Sequence, residues 1–170
     1  MLSTAKSSTL QCQRFNVESE SHMGAEQRAR ELGITFAKKE RGYLNLCVHT
    51  GNLLTTSGHV SDIKGKLGAG LTVEDGVKAA RECAVKILQS VYDTHGTLDG
   101  LRVLKLLGCV NSTLEFTDQH LVMNGASDLY HQIFGKEDLG YHARSALGFA
   151  ALPTGAAVEV EAIFEITGRI

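Results

Sequence analysis

Between Thr72 and Gly96 the chain carries the pattern that most restricts what it can fold into. Val73, Val77, Ala80, Ala84, Ile87, Leu88 and Val91 recur at intervals of three and four, the spacing that lines one face of an α-helix. Thr72 suits the N-cap, Glu74 and Asp75 fall in the first turn where negative charge is favourable, and Gly96 can close the element. A long helix with one apolar face must bury that face, and the most economical cover is a β-sheet.

The flanking segments supply such a sheet. Ala25 to Leu32, ended by Gly33, reads as a short first helix. Tyr43 to Thr50 and Leu53 to Ser57 read as two strands joined by Gly51-Asn52, a hairpin loop whose glycine tolerates positive φ. Residues 58 to 70, with glycines at 58, 65, 68 and 70, read as an ordered loop. Leu101 to Val110 is almost wholly apolar, as expected of a central strand buried on both faces. Val122 to Phe134 reads as a second long helix ending at Gly135. Two strands, Ala143 to Leu152 and Ala157 to Ile166, close the chain around a turn holding Pro153 and Gly155. The predicted class is α+β: a single mixed sheet with two long helices packed on one face. The other sheet face has no cover, which favours contact with another copy of the chain.

A length of 170 residues suits one compact domain. No apolar run reaches the roughly 20 residues of a membrane helix, and a net charge of -2 argues against a general nucleic-acid binder. Cys12, Cys47, Cys83 and Cys109 lack paired spacing, so they read as reduced structural residues, neither a disulfide framework nor a zinc ribbon. The histidines are dispersed, and no metal site is expected. The glycines at 65, 68 and 70 lack the order of a phosphate-binding loop. No nucleophile elbow surrounds Ser57 or Ser127. Residues 1–22 differ from the rest, with no acidic group before Glu18. They read as an N-terminal extension, either a plain tail on a cytoplasmic protein or a mitochondrial transit segment, ahead of a domain over residues 23–170.

The sharpest chemical signal is Arg144, set in an otherwise apolar run from Tyr141 to Leu152. A guanidinium in such a strand needs an anion, because an unpaired buried charge is costly. Two partners fit. One is internal, Glu159 or Glu161 on a neighbouring strand; the other is a small carboxylate ligand.

Five blocks in order resemble the reactive-intermediate deaminase family, of RidA/YjgF type and also called endoribonuclease L-PSP. They are Gly51-Asn-Leu-Leu-Thr-Thr-Ser-Gly58, Val110-Asn-Ser112, Val122-Met-Asn124, Ala143-Arg-Ser-Ala146, and Leu152-Pro153 followed by Val158-Glu-Val-Glu-Ala162. The resemblance implies a chorismate-mutase-like fold, a homotrimer with clefts between subunits, and no cofactor. It implies hydrolysis of 2-enamine and 2-imino acids, such as 2-aminoacrylate and 2-iminopropionate, to 2-keto acids and ammonia. Under it Arg144 holds the substrate carboxylate and Glu159 lies near the attacking water. Tyr43, Ser57, Gly58 and Asn124 line the cleft. The alternative role is a non-catalytic carboxylate-binding or regulatory trimer; a ribonuclease sits poorly with the acidic charge. The chain departs from the family at Ala146, where many members have cysteine, at His142, where proline is usual, and at His59-Val60-Ser61, where Gln-Ile-Pro is common. It therefore resembles a divergent branch.

Overall fold

The computed structural model describes residues 23–40 and 42–168; the extension over residues 1–22, with Cys12, lies outside the described residues. Helix α1 (Ala25–Glu31) is followed by the hairpin β1 (Cys47–Thr50) and β2 (Leu53–Thr56), then β3 (His59–Val60). A small pair, β4 (Lys66–Leu67) and β5 (Gly70–Leu71), precedes α2 (Val73–His95) and β6 (Leu101–Asn111). Helices α3 (Gln119–Val122) and α4 (Asn124–Phe134) run into a π-turn over Gly135–Leu139. Strand β7 (Ala143–Phe149), a 3-10 turn over Pro153–Gly155 and β8 (Val158–Ile166) complete the chain.

Helix α2 forms where the stripe predicts. The Thr72 hydroxyl accepts from the Asp75 amide at 3.2 Å while the Asp75 carboxylate accepts from the Thr72 amide at 3.1 Å, a reciprocal capping box. Gly96 ends it in the left-handed region at φ 90°. Its buried face is wider than the predicted stripe. Ala79 and Cys83 are enclosed along with Ala80, Ala84, Ile87, Leu88 and Val91, because α2 meets both the sheet and α4. Burying Ile87, Leu88 and Val91 contributes about 1.5–3 kcal/mol each.

The main sheet runs β1-β2-β8-β6-β7, with β3 also paired to β8. Strands β6 and β7 are parallel and the other pairs antiparallel, so the sheet is mixed. The two closing strands are not neighbours. Strand β8 inserts between β2 and β6, and β7 takes the outer edge. Three expectations need correction. Strand β6 is central, but its residues alternate between buried and half-buried, so in one chain only the helix-side face is closed. The loop over 58 to 70 contains β3 and β4 and reaches into β5. The second long helix begins at Gln119 and is broken at Met123 into α3 and α4.

One close approach holds the helical layer together. A Cβ on Gly125 would overlap the backbone carbonyl of Val77, and one on Gly76 would come within 2.7 Å of Val122. Backbone cannot yield there as a flexible side chain could. Alanine at 125 gains about 1 kcal/mol of helix propensity but imposes overpacking of about 3 kcal/mol. Urea unfolding of Gly125→Ala should therefore show a net loss of about 2 kcal/mol.

Candidate functional site

Arg144 lies on edge strand β7, in parallel register with Leu106. Leu106 is buried beneath the helices, and directly paired residues share a face, so Arg144 points to the helical side. There Nη1 donates to Asn124 Oδ1 at 3.1 Å and to Ser127 Oγ at 3.0 Å, and Nη2 donates to the His120 carbonyl at 3.0 Å. All three acceptors are neutral. Among the described residues no carboxylate forms a salt bridge with it. A guanidinium carries five N–H donors, so among the described residues the Nε–H and one Nη2–H have no acceptor, and these two nitrogens form one edge of the fork. That edge suits two parallel bonds to a carboxylate. Burial lowers the Arg144 pKa from its ordinary value and Asp128 pushes it back up; the group stays cationic.

The internal ion pair considered from the sequence does not form. Strand β6 separates β7 from β8. Glu159 and Glu161 also point away from the helices, alternating with the buried Val158, Val160 and Ala162. Arg144 and Glu159 thus lie on opposite faces of the same sheet.

Two residues that sequence reasoning passed over complete the arginine pocket. Ser127 and His142 bond through Oγ and Nε2 at 3.0 Å, and His142 Nδ1 donates to the Gly140 carbonyl at 2.6 Å. Burial foremost, then His131 and Arg144, lower the His142 pKa from 6.5, the Gly140 bond opposing them. The imidazole is therefore neutral at pH 7, with its proton on Nδ1. Spacing alone puts Ser127 beside Asn124, since residues three apart on a helix are neighbours; that this face meets His142, just before β7, is set by packing.

The other candidates gather around β3 and the start of β8. Glu159 pairs with Val60 on β3 and Cys109 on β6. A Cβ on Gly58 would overlap the Glu159 carboxylate, so glycine is what admits that side chain. Burial first, and Glu161 second, raise the Glu159 pKa above 4.5. Ser57 donates through Oγ to the Asn45 carbonyl at 3.1 Å and through its amide to the Leu46 carbonyl at 3.0 Å. Tyr43 is fully exposed and lines a groove of about 600 Å³ with Leu44, Leu46, His49 and Asp93, away from Arg144. His59 anchors this region, with Nδ1 donating to the Ser57 carbonyl at 2.8 Å and Nε2 meeting Ser90 Oγ at 2.7 Å. The three described cysteines are unpaired, and burial pushes the Cys83 thiol up to about 12. Of the candidates, the structure brings together Arg144 with Asn124, and Glu159 with Gly58; it does not bring these two groups together within one chain.

A single mixed sheet, helices on one face and an edge-strand arginine with a free fork define the class of protein. The family model described as endoribonuclease L-PSP matches residues 37–166, and the chain belongs to that family, also known as YjgF/RidA. Protein TCP17 of Trypanosoma cruzi is 52% identical over 103 residues, 60% of this chain and 64% of the relative, so the chain spans less than two thirds of that protein. The crystal structure of Atu1372 from Agrobacterium tumefaciens, described as having unknown function, is 41% identical. That match covers 84% of this chain and 92% of the other, at a TM-score of 0.74. The YjgF gene product of E. coli is 22% identical over 76% of this chain and 92% of its own, with a TM-score of 0.51. That last likeness is one of fold.

Two outcomes test the second group. Gly58→Ala should fold with near-normal stability, since the displaced atoms end a flexible side chain, yet impair any activity as much as Glu159→Gln does. His59 contributes a pH dependence: burial foremost lowers its pKa from 6.5. As pH falls through that range the unfolded chain takes up the proton first, so folded-state stability drops. Denaturant midpoints at pH 7.5 and 5.5 should diverge more in wild type than in His59→Gln.

Proposed function

We propose that the chain is a deaminase hydrolysing small 2-imino acids to 2-keto acids and ammonia, at sites completed by a second copy of the chain. The observation carrying this reading is the Nε–Nη2 edge of Arg144, a cation hydrogen-bonded to neutral acceptors and forming no salt bridge among the described residues. That edge fits the carboxylate of an imino acid. A protonated imine carbon is already electrophilic, so the remaining requirement is orientation and a placed water. Glu159, with its raised pKa, is suited to position or deprotonate that water.

The need for a second copy follows from the opposite faces taken by Arg144 and Glu159. The open sheet face supports it. Half-exposed Val48, Leu147 and Phe149 stand there, on the side of Cys109, Ile163 and the glutamates. A closed trimer would bury that face and bring Arg144 and Asn124 of one copy to Ser57, Gly58, Glu159 and Tyr43 of the next. The alternative, a carboxylate-binding trimer without turnover, would use the same arginine.

Keto-acid release from freshly generated 2-iminopropionate, with semicarbazide trapping to reveal acceleration over spontaneous hydrolysis, tests the reading. Arg144→Ala should lower kcat/KM by about 100-fold, two charged hydrogen bonds being lost, and Arg144→Lys by about tenfold. No acceleration by wild type would leave the binding role. Refolding equal amounts of Arg144→Ala and Glu159→Gln together should restore roughly one quarter of wild-type activity, the fraction of intact interfaces under random mixing in a ring. Sites contained within one chain would restore none.

A further inference from the structure

We infer that His142 is a positioning residue that, through Ser127, selects which edge of Arg144 faces the ligand. The inference rests on the carboxylate-binding reading of Arg144 but reaches a pair of residues which that reading does not need. With Nδ1 donating to the Gly140 carbonyl, a neutral imidazole leaves Nε2 as an acceptor only. The single hydroxyl proton of Ser127 is then committed to Nε2. Ser127 Oγ has only lone pairs left for Arg144 and accepts from Nη1. Asn124 takes the other Nη1 proton and the His120 carbonyl takes one from Nη2. Without His142 the serine hydroxyl is free to turn its proton toward the helix backbone, and its lone pairs are no longer held toward the arginine. The Nη1 end would lose its fixed acceptor, and the guanidinium could rotate its free edge away.

The position matters because an apolar residue there could neither accept from Ser127 nor titrate. On protonation Nε2 becomes a donor, so its bond with Ser127 reverses and releases the hydroxyl proton, while an imidazolium then stands beside the guanidinium. The groups around the ring are His131, at 5.3 Å between ring centroids, and Tyr130, at 6.4 Å, both on α4, with Arg144 on β7. Asp128 on α4 acts on Arg144 electrostatically.

The test uses the full chain, ¹⁵N-labelled. The Arg144 Nε–H resonance, assigned by its loss in Arg144→Lys, is followed from pH 8 to 5 beside the His142 ring signals, and pyruvate affinity is measured at pH 7.5. In wild type the Arg144 resonance should shift with the His142 titration. In His142→Gln, whose side-chain carbonyl keeps an acceptor near the Nε2 position, the shift should vanish while pyruvate affinity stays within about threefold. His142→Ala and Ser127→Ala should each weaken pyruvate about tenfold, with near-normal thermal midpoints. An Arg144 resonance indifferent to His142, or glutamine no better than alanine, would overturn the inference. If wild type binds no pyruvate, the carboxylate reading fails, and the resonance alone still decides whether His142 positions Arg144.

Discussion

The backbone contact of α4 with α2 at Gly125 is the constraint on which the arginine pocket depends. It brings α4 so close to α2 that no side chain fits between them. Asn124 and Ser127 flank that glycine in the same helical turn. The close approach therefore fixes, within one helix, both the packing of the core and the two side chains that hold Nη1 of Arg144. A shift of α4 outward would relieve no strain and would pull both acceptors off the guanidinium.

On this scaffold the charges are arranged asymmetrically. The cation sits on the helical side of an edge strand, satisfied by neutral oxygens. The carboxylate sits on the open face, against a glycine, with burial raising its pKa. Neither neutralises the other. A chain selected only for stability gains nothing from a half-buried guanidinium that forms no salt bridge among the described residues or from a carboxylate with a raised pKa. Both fit the proposed site, which a ligand carboxylate and a second copy would complete. The likeness to Atu1372 spreads across most of both chains, so the same arrangement can be sought in that structure.

The comparison of pattern with structure divides by the kind of information involved. Helix α2, the Gly51-Asn52 hairpin and the closing strands were legible, because caps, turns and periodicity are local and each residue states its own preference. The class of fold was legible for the same reason: two apolar helix faces need a sheet. Less legible was the break at Met123, where α3 bends into α4 without a proline, and where Gly125 serves the close approach to α2. The half-closed β6 misled because an apolar run reads the same whether its second face meets a helix or another copy of the chain.

By itself the sequence determined that Arg144 is a cation in an apolar run, that it needs an anion, and that the family blocks surround it. Only the tertiary structure decided which anion is ruled out. Strand β8 enters the sheet between β2 and β6 rather than beside β7, so Glu159 and Glu161 are one strand away and on the wrong face. The structure likewise decided that Ser127 and His142 belong to Arg144, joining a helix to the segment just before β7 across fifteen residues. Strand order and the meeting of separate elements are set by long-range packing of the whole core, and no local pattern in the chain encodes them.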